Sequence, residues 1–294
     1  LPARSYNMST DITSAFRSLQ AGANIGKVVV YFHLCPPPAG THILTGGTGG
    51  LGGVNAAWLL RLGIPRVVLA SRRGVAERKQ VRHLLRVVNG SAERIALARC
   101  DVGESVDTMC LIASESRAPP RGVWHAAGTL ADGLLSSQHA ASMRHVYRPK
   151  AHGAWLMHRA CERTPYDACT FFSSVTAMLG NAGQVNYGAA NSCLDSLSGW
   201  RQSKGLRSSS IQWGPWAEVG MAASGALHAR MQSAGFGLID HAAGVSALHS
   251  SLFSHAPAIM CVAVITWSRL LAVLPRVPPL LSYFKGQKLS LIHI

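Results

Sequence analysis

Five glycines in eight residues, Thr45-Gly46-Gly47-Thr48-Gly49-Gly50-Leu51-Gly52, constrain this chain more than any other stretch. They follow an apolar strand-like segment, His42–Thr45, and open a helix-like one over about 52–62. Both G-x-G-x-x-G (Gly47, Gly49, Gly52) and T-G-x-x-x-G-x-G (Thr45 to Gly52) are present. Glycine permits the sharp turn and lets backbone approach a pyrophosphate, whose charge suits the free N–H groups of a helix start. Glycine-rich loops are common, and it is the strand-turn-helix setting that gives this one its meaning. Gly46, Gly47, Thr48, Gly49, Gly50 and Leu51 are thus candidate dinucleotide contacts.

The rest of the chain repeats the same alternation. Short apolar strands are predicted at 66–70, 95–100, 122–125, 168–173 and 208–212, with another buried strand at 258–264. Helices are predicted near 77–88, 143–161 and 186–204. Strands alternating with helices predict an α/β fold with a Rossmann-like, doubly wound parallel sheet. Before it lie a helix-like stretch, 10–20, and an apolar strand, 27–31. The run Cys35-Pro-Pro-Pro-Ala-Gly40 continues neither helix nor central strand. The chain therefore divides into residues 1–31, a linker 32–39 and a main domain 40–284. The closing Leu289-Ser-Leu-Ile-His-Ile294 matches the translation of a common transposon sequencing adapter. Residues 285–294 are accordingly set outside the fold as a tail and sequence artefact, with an ordinary disordered tail as the alternative.

Composition excludes several classes. Of 294 residues, 48% are hydrophobic and 14% charged, which suits a globular core and not a disordered chain. No apolar run is long enough for a membrane helix. The net charge of +15 raises nucleic acid as a partner. The excess is scattered arginine without a dense basic block, so no nucleic-acid partner is expected. Seven widely spaced cysteines without a C-x-x-C pair argue against a disulfide framework or a metal site. A reducing, cytoplasmic setting is expected, since Leu1-Pro-Ala-Arg also lacks the apolar core of a signal peptide. The absence of an initiating Met reads as a fragment.

The strand ends refine the cofactor. Ser71-Arg72-Arg73 stands where an NAD-binding fold places an acid for the ribose 2′-hydroxyl. An acid repels a 2′-phosphate and an arginine pairs with it, so NADPH is expected. The alternative is a solvated basic loop. Cys100-Asp101-Val102 closes the third strand, with Asp101 either accepting from the adenine amine or capping the next helix. His125-Ala126-Ala127-Gly128 closes the fourth with small residues that let backbone approach a cofactor.

Four residues suit carbonyl reduction. Ser174 ends the fifth strand, and Tyr187 and Asn191 share one face of the next helix. Lys150 lies on the preceding helix. Such a reaction needs a proton donor for the developing alkoxide and a hydrogen bond to the carbonyl. It also needs a cation that brings the phenol of tyrosine, ordinarily near 10, toward neutrality. Singly, Ser174 reads as a cap, Lys150 as surface and Tyr187 as half-buried core. Together, behind a dinucleotide loop, they read as a site.

At this point the chain resembles a ketoreductase domain of the short-chain dehydrogenase/reductase superfamily. It is most similar to those of modular polyketide synthases and animal-type fatty acid synthases. The landmarks, besides the turn, are Leu69-Ala-Ser-Arg-Arg-Gly74, His125-Ala-Ala-Gly128, Phe172-Ser-Ser-Val175 and Asn186-Tyr-Gly-Ala-Ala-Asn191. Gln212-Trp-Gly-Pro-Trp-Ala-Glu-Val-Gly-Met221 and Pro275-Arg-Val-Pro-Pro-Leu-Leu281 extend them. Stand-alone members carry Y-x-x-x-K; here Asn191 follows Tyr187 and the lysine is Lys150, the exchange that marks the megasynthase branch.

The resemblance implies roles. Tyr187 donates the proton, Ser174 binds the carbonyl, and Lys150 contacts the nicotinamide ribose and tunes Tyr187. Asn191 supports Lys150 and a relay water. Arg72 faces the 2′-phosphate. Pro215 and Trp216 border the nicotinamide and a substrate lid. The substrate is a β-ketoacyl group on an acyl carrier protein, reduced within a synthase whose other domains are partners. Those include a structural ketoreductase half not present in this chain. Leu130-Ala131-Asp132 keeps the last acid of a Leu-Asp-Asp signature, and Leu179 stands where the A-type class has Trp, so B-type stereochemistry is implied. Ala15-Phe-Arg17 with Ile25-Gly-Lys-Val-Val-Val30 resembles the closing segment of an enoylreductase domain. The alternatives are a non-catalytic NADPH-binding segment of a synthase and a free-standing short-chain reductase.

Overall fold

The computed structural model describes residues 3–7, 12–21, 27–31, 40–115, 120–161, 166–219, 229, 231–253, 255–274, 276–285 and 290–293. Contacts divide the chain into two units, Leu1–Pro37 and Pro38–Ile294. The small unit is a βαβ element: β1 (Ala3–Asn7), α1 (Ile12–Gln20) and β2 (Lys27–Tyr31), with β1 and β2 paired in parallel.

In the large unit β3 (Thr41–Thr45), β4 (Arg66–Ser71), β5 (Ile95–Arg99), β6 (Pro120–His125), β7 (Ala168–Ser174), β8 (Ser209–Trp213) and β10 (Ile259–Ile265) form a parallel sheet. Its order is β10-β8-β7-β6-β3-β4-β5. The chain winds outward one way from β3 to β5, then returns to β6 on the other side of β3. That reversal is the switch point at which open parallel sheets bind ligands. A short β9 (Phe236–Gly237) and β11 (Ser290–His293) pair antiparallel with β10. The tail set outside the fold by its sequence thus supplies an edge strand. An unpaired edge offers a row of N–H and C=O groups to any extended segment within reach.

Helices cover both faces. On one face α2 (Gly50–Arg61), α3 (Arg78–Val87) and α9 (His241–Ser250) bury Trp58, Leu59, Leu84 and Leu248 against Leu44, Leu69, Trp124 and Val262. On the other, α4 (Ser105–Ser114), α6 (Gly153–Ala160) and α8 (Val185–Ser203) bury Leu111, Met157 and Leu194 against Ile43, Val68, Val123 and Phe171. Short α7 (Thr176–Leu179) follows β7, and α10 (Trp267–Val273) follows β10. The Trp267 and Phe284 rings stack with centroids 3.9 Å apart, fixing the end of the domain.

The helix predicted over 143–161 is not continuous. It runs as α5 (Ala140–Tyr147), one π-helical turn Arg148–His152, and α6. Pro149 is the cause, because it has no N–H to return to the His145 carbonyl. Thr129 Oγ1 donates to that carbonyl instead, at 2.7 Å. Gly153 N–H bonds the Arg148 carbonyl, one residue wider than an α-turn. Helix α4 escaped sequence detection because Val106 and Met109 lie on its exposed side and blur the apolar period.

Candidate active site

The turn between β3 and α2 is packed on its inner side and open on its outer one. Gly46 has φ +70°, and a Cβ there would lie 2.8 Å from the backbone of Ala126 and Ala127 at the end of β6. A Cβ on Gly52 would lie 2.5 Å from Gly47 Cα. Gly49 and Gly50 are exposed, Thr48 and Leu51 half-buried. The first helical amide with an acceptor is Gly53, bonded to the Gly49 carbonyl at 2.9 Å. The amides of Gly50, Leu51 and Gly52 have no such acceptor within the helix and sit at its positive end. This cradle fits a pyrophosphate.

Ser71 ends β4, and its Oγ accepts from Gly74 N–H at 3.2 Å. Arg72 and Arg73 are exposed, and neither forms an ion pair among the described residues. Asp101 follows β5 with Cys100 and Val102 buried beside it. Its Oδ1 accepts from Gly103 N–H at 3.0 Å, and its Oδ2 lies 3.4 Å from Arg148 Nη2. Asp101 does not cap α4, whose N-cap is Glu104; it holds the turn that precedes the helix.

His125 carries information its motif did not reveal. The ring is wholly buried at the end of β6. Nε2 lies 2.8 Å from the Lys150 carbonyl and Nδ1 2.7 Å from Thr45 Oγ1. A carbonyl only accepts, so Nε2 carries the proton; Nδ1 then accepts from Thr45. Burial holds the ring down at about 4, neutral over the working range. It ties β3, β6 and the π-turn together directly beneath Lys150.

Lys150 projects from that turn and is 3% exposed. Its Nζ donates to the Phe172 carbonyl on β7 at 2.9 Å and lies 5.2 Å from the centre of the Tyr187 ring. Burial lowers the ammonium to about 8. Tyr187 is buried in the first turn of α8, where Asn186 Oδ1 accepts from its N–H at 2.7 Å. Burial pushes the phenol above its ordinary value, while hydrogen bonding to Asn191 and Ser174 pulls the other way. Ser174 Oγ is 3.0 Å from Thr176 Oγ1, and Asn191 Nδ2 donates to the Tyr187 carbonyl at 2.8 Å. Lys150, Ser174, Tyr187 and Asn191 therefore converge, although they come from three elements, the π-turn, the end of β7 and α8.

The loop after β6 is fastened to the start of α8. Asn186 Nδ2 donates to the Ala131 carbonyl at 2.8 Å and to Gln138 Oε1 at 3.0 Å. Gln184 Nε2 donates to Asp132 Oδ2 at 3.0 Å. Gln138 and Gln184 were missed because nothing in local spacing marks a polar residue whose partner lies about 50 positions away. Pro215 follows β8, and its carbonyl accepts from Ile239 N–H at 2.8 Å. Trp216 departs from its implied place beside the substrate. It is 4% exposed in the core with Ile239 and Ala247, its ring filling the space that the missing Cβ of Gly244 leaves. An indole at that depth is a packing group. The lid implied to follow it lies outside the described residues from position 220.

A cavity of about 390 Å³ opens at the opposite ends of β7 and β8, lined by Asp167, Ala168 and Ser208 among others. It contains none of the residues above. Parallel sheets bind beyond the carboxyl ends of their strands, where the glycine turn, Lys150 and Tyr187 meet. Among the described residues there is no cluster of metal-ligating side chains, and no helix is long and apolar enough to cross a membrane.

The KR domain family matches residues 40–218. The chain belongs to this ketoreductase family. The KR unit is 36% identical over 256 residues to polyketide synthase GfsA of Streptomyces halstedii, covering 87% of this chain and 3% of that protein. It is 34% identical over 257 residues to pikromycin polyketide synthase component PikAII of Streptomyces venezuelae, covering 85% and 7%. The fold is similar to the structure of A-type ketoreductases from a modular polyketide synthase, with a TM-score of 0.79 and 32% identity. That match covers 84% of this chain and 52% of the other. The KR unit thus spans a small part of its synthase relatives and about half of the solved ketoreductase chain. It is an α/β oxidoreductase domain of the Rossmann-like class.

Proposed function

We propose that the KR unit reduces the β-carbonyl of an acyl group carried on an acyl carrier protein to a hydroxyl, using NADPH. The carrying observation is the convergence of Lys150, Ser174, Tyr187 and Asn191 beside a glycine cradle at the switch point of the sheet. The amides of Gly50, Leu51 and Gly52 hold the pyrophosphate, helped by Gly46, Gly47, Thr48 and Gly49. Ser71, Arg72 and Arg73 take the 2′-phosphate. Ala126, Ala127, Gly128 and Pro215 border the nicotinamide end, and Cys100, Asp101 and Val102 the adenine end. Bound there, NADPH supplies the hydride.

The protein moves the proton. Ser174 Oγ donates to the substrate carbonyl and orients it. Tyr187, held in its acid form by burial, gives the phenolic proton to the developing alkoxide. The Lys150 ammonium stabilises the phenolate that remains, and Asn191 braces the start of α8 through the Tyr187 carbonyl. Asp132, held by Gln184 beside this start, lines the acyl entry and directs B-type reduction to the D-hydroxyl product. The neighbouring synthase domains, with the other half of the ketoreductase, complete the assembly in which this occurs. Residues 1–31 are the closing segment of an enoylreductase domain; the parallel βαβ element is compatible with such an end.

The test is NADPH oxidation with a 1-decalone as thioester surrogate, comparing the purified chain with Tyr187→Phe. Turnover in the variant is expected to fall by about 10²-fold or more with NADPH affinity retained. Equal turnover in the two proteins removes Tyr187 from the reaction, and an L-hydroxyl product overturns the B-type reading.

A further inference from the structure

Tyr187, Asn191 and Asp195 stand four residues apart on α8 and share one buried face, 8%, 0% and 6% exposed. The chemistry above uses the first two. Asp195 has no role in it, and a carboxylate at that depth needs an explanation. Its Oδ1 accepts from Ser210 Oγ at 2.6 Å and its Oδ2 from Gln212 Nε2 at 2.8 Å. Both carboxylate oxygens thus accept a hydrogen bond from β8. No Lys, Arg or His lies within ion-pair distance of it among the described residues.

Lys150 presents the complementary problem: a buried ammonium whose one hydrogen bond among the described residues is to the Phe172 carbonyl. The two anchors are neighbours. Phe172 on β7 is the register partner of Ile211 on β8, and Ser210 and Gln212 flank Ile211. Both charges therefore lie on one stretch of paired strand, beneath α8.

We propose that Asp195 is a positioning residue of the reductase site, the buried negative charge that balances the Lys150 ammonium and keeps it able to support Tyr187. This rests on the ketoreductase reading of Lys150 and Tyr187. Of the other groups around this site, Asp132 bears on Tyr187 and not on Lys150. His125 on β6 is neutral and Tyr187 is held as the phenol. Arg148, on the same π-turn, is engaged with Asp101 and Glu104. Asp195 is the carboxylate that works against burial at Lys150; the Cys193 and Cys261 thiols are pushed up by burial first and by Asp195 second. Without it the amine loses its proton nearer neutrality, and a neutral amine stabilises neither phenolate nor alkoxide.

The test reads Lys150 directly. The chain is labelled with ¹⁵N at lysine Nζ, the Lys150 signal is assigned by its loss in Lys150→Met, and its titration is followed by NMR. Asp195→Asn removes the charge and keeps the shape, since the Gln212 amide can turn to face the new one. The Lys150 midpoint is expected to fall by about one pH unit, and the alkaline limb of 1-decalone reduction to fall with it. Ser210→Ala, which keeps the charge, leaves both in place. Asp195→Asn combined with Gln212→Glu transposes the charge within the same pair and restores the midpoint. A folded Asp195→Asn protein with an unmoved midpoint overturns the assignment. If that variant does not fold, the transposed pair decides: a midpoint at the wild-type value supports the assignment and a lowered one overturns it. Absence of turnover in the wild type at every pH would count against the reductase reading, while the titration still decides the role of Asp195.

Discussion

Arg72 is exposed just after β4 and forms no ion pair among the described residues, an arrangement that leaves its guanidinium available to an anion. A charge-assisted bond to a 2′-phosphate contributes about 1.5–3 kcal/mol. Arg72→Ala is therefore expected to raise the KM for NADPH about 10- to 100-fold and leave that for NADH unchanged. Steady-state kinetics with both cofactors checks it, and equal losses for the two would remove the 2′-phosphate contact. His125 shows how much one side chain can bind together without touching the substrate. Its two ring nitrogens are satisfied by Thr45 and the Lys150 carbonyl, so it fixes the backbone from which the ammonium projects.

At the scale of elements, the π-turn Arg148–His152 sets the direction of Lys150, and Pro149 creates the turn. Pro149→Ala restores an N–H that can bond the His145 carbonyl in competition with Thr129. The segment is then expected to relax toward a continuous α-helix, rotating Lys150 away from Phe172. Thermal unfolding should be unchanged or raised while 1-decalone turnover falls about tenfold or more, as expected for a displaced supporting group. Unaltered turnover would show that the turn is not needed. The glycine turn is constrained differently. A Cβ at position 52 meets Gly47 Cα at 2.5 Å, inside any real contact. Gly52→Ala is expected to cost about 1–3 kcal/mol in urea unfolding and to abolish NADPH binding, because relief of the clash moves the amides of the cradle.

At the scale of the whole molecule, two buried histidines are held neutral. His42 and His125 are both lowered by burial to about 4, against 6.5 in an unfolded chain. Between those values the unfolded state binds more protons, so stability is full above about pH 6.5 and declines as pH falls toward 4. The expected loss is about 2 kcal/mol for each histidine between pH 7 and pH 5, measurable by urea unfolding at the two values. A flat profile would show that these rings are solvated. The net charge of +15 acts at the same scale. Charge reversal of exposed arginines is expected to weaken turnover of carrier-bound substrate in a salt-dependent way and to spare the free surrogate.

Much of this protein is local chemistry and is legible in its residue order. The glycine turn, the missing acid after β4 and the alternation of apolar strands with helices need only sequence neighbours to take effect. The four site residues were legible because they sit at strand ends or at helical spacing. Tertiary structure alone decided the partnerships between distant residues. Pro149 and Thr129 together make the π-turn; His125 reaches the Lys150 carbonyl; Gln184 holds Asp132; Trp216 fills the space over Gly244 and so leaves the cleft. Asp195 follows Tyr187 and Asn191 at the same spacing, yet its meaning came only with Ser210 and Gln212 beside it. Helical and strand periods fix which face a residue occupies, and nothing in them fixes what the opposing element brings to meet it.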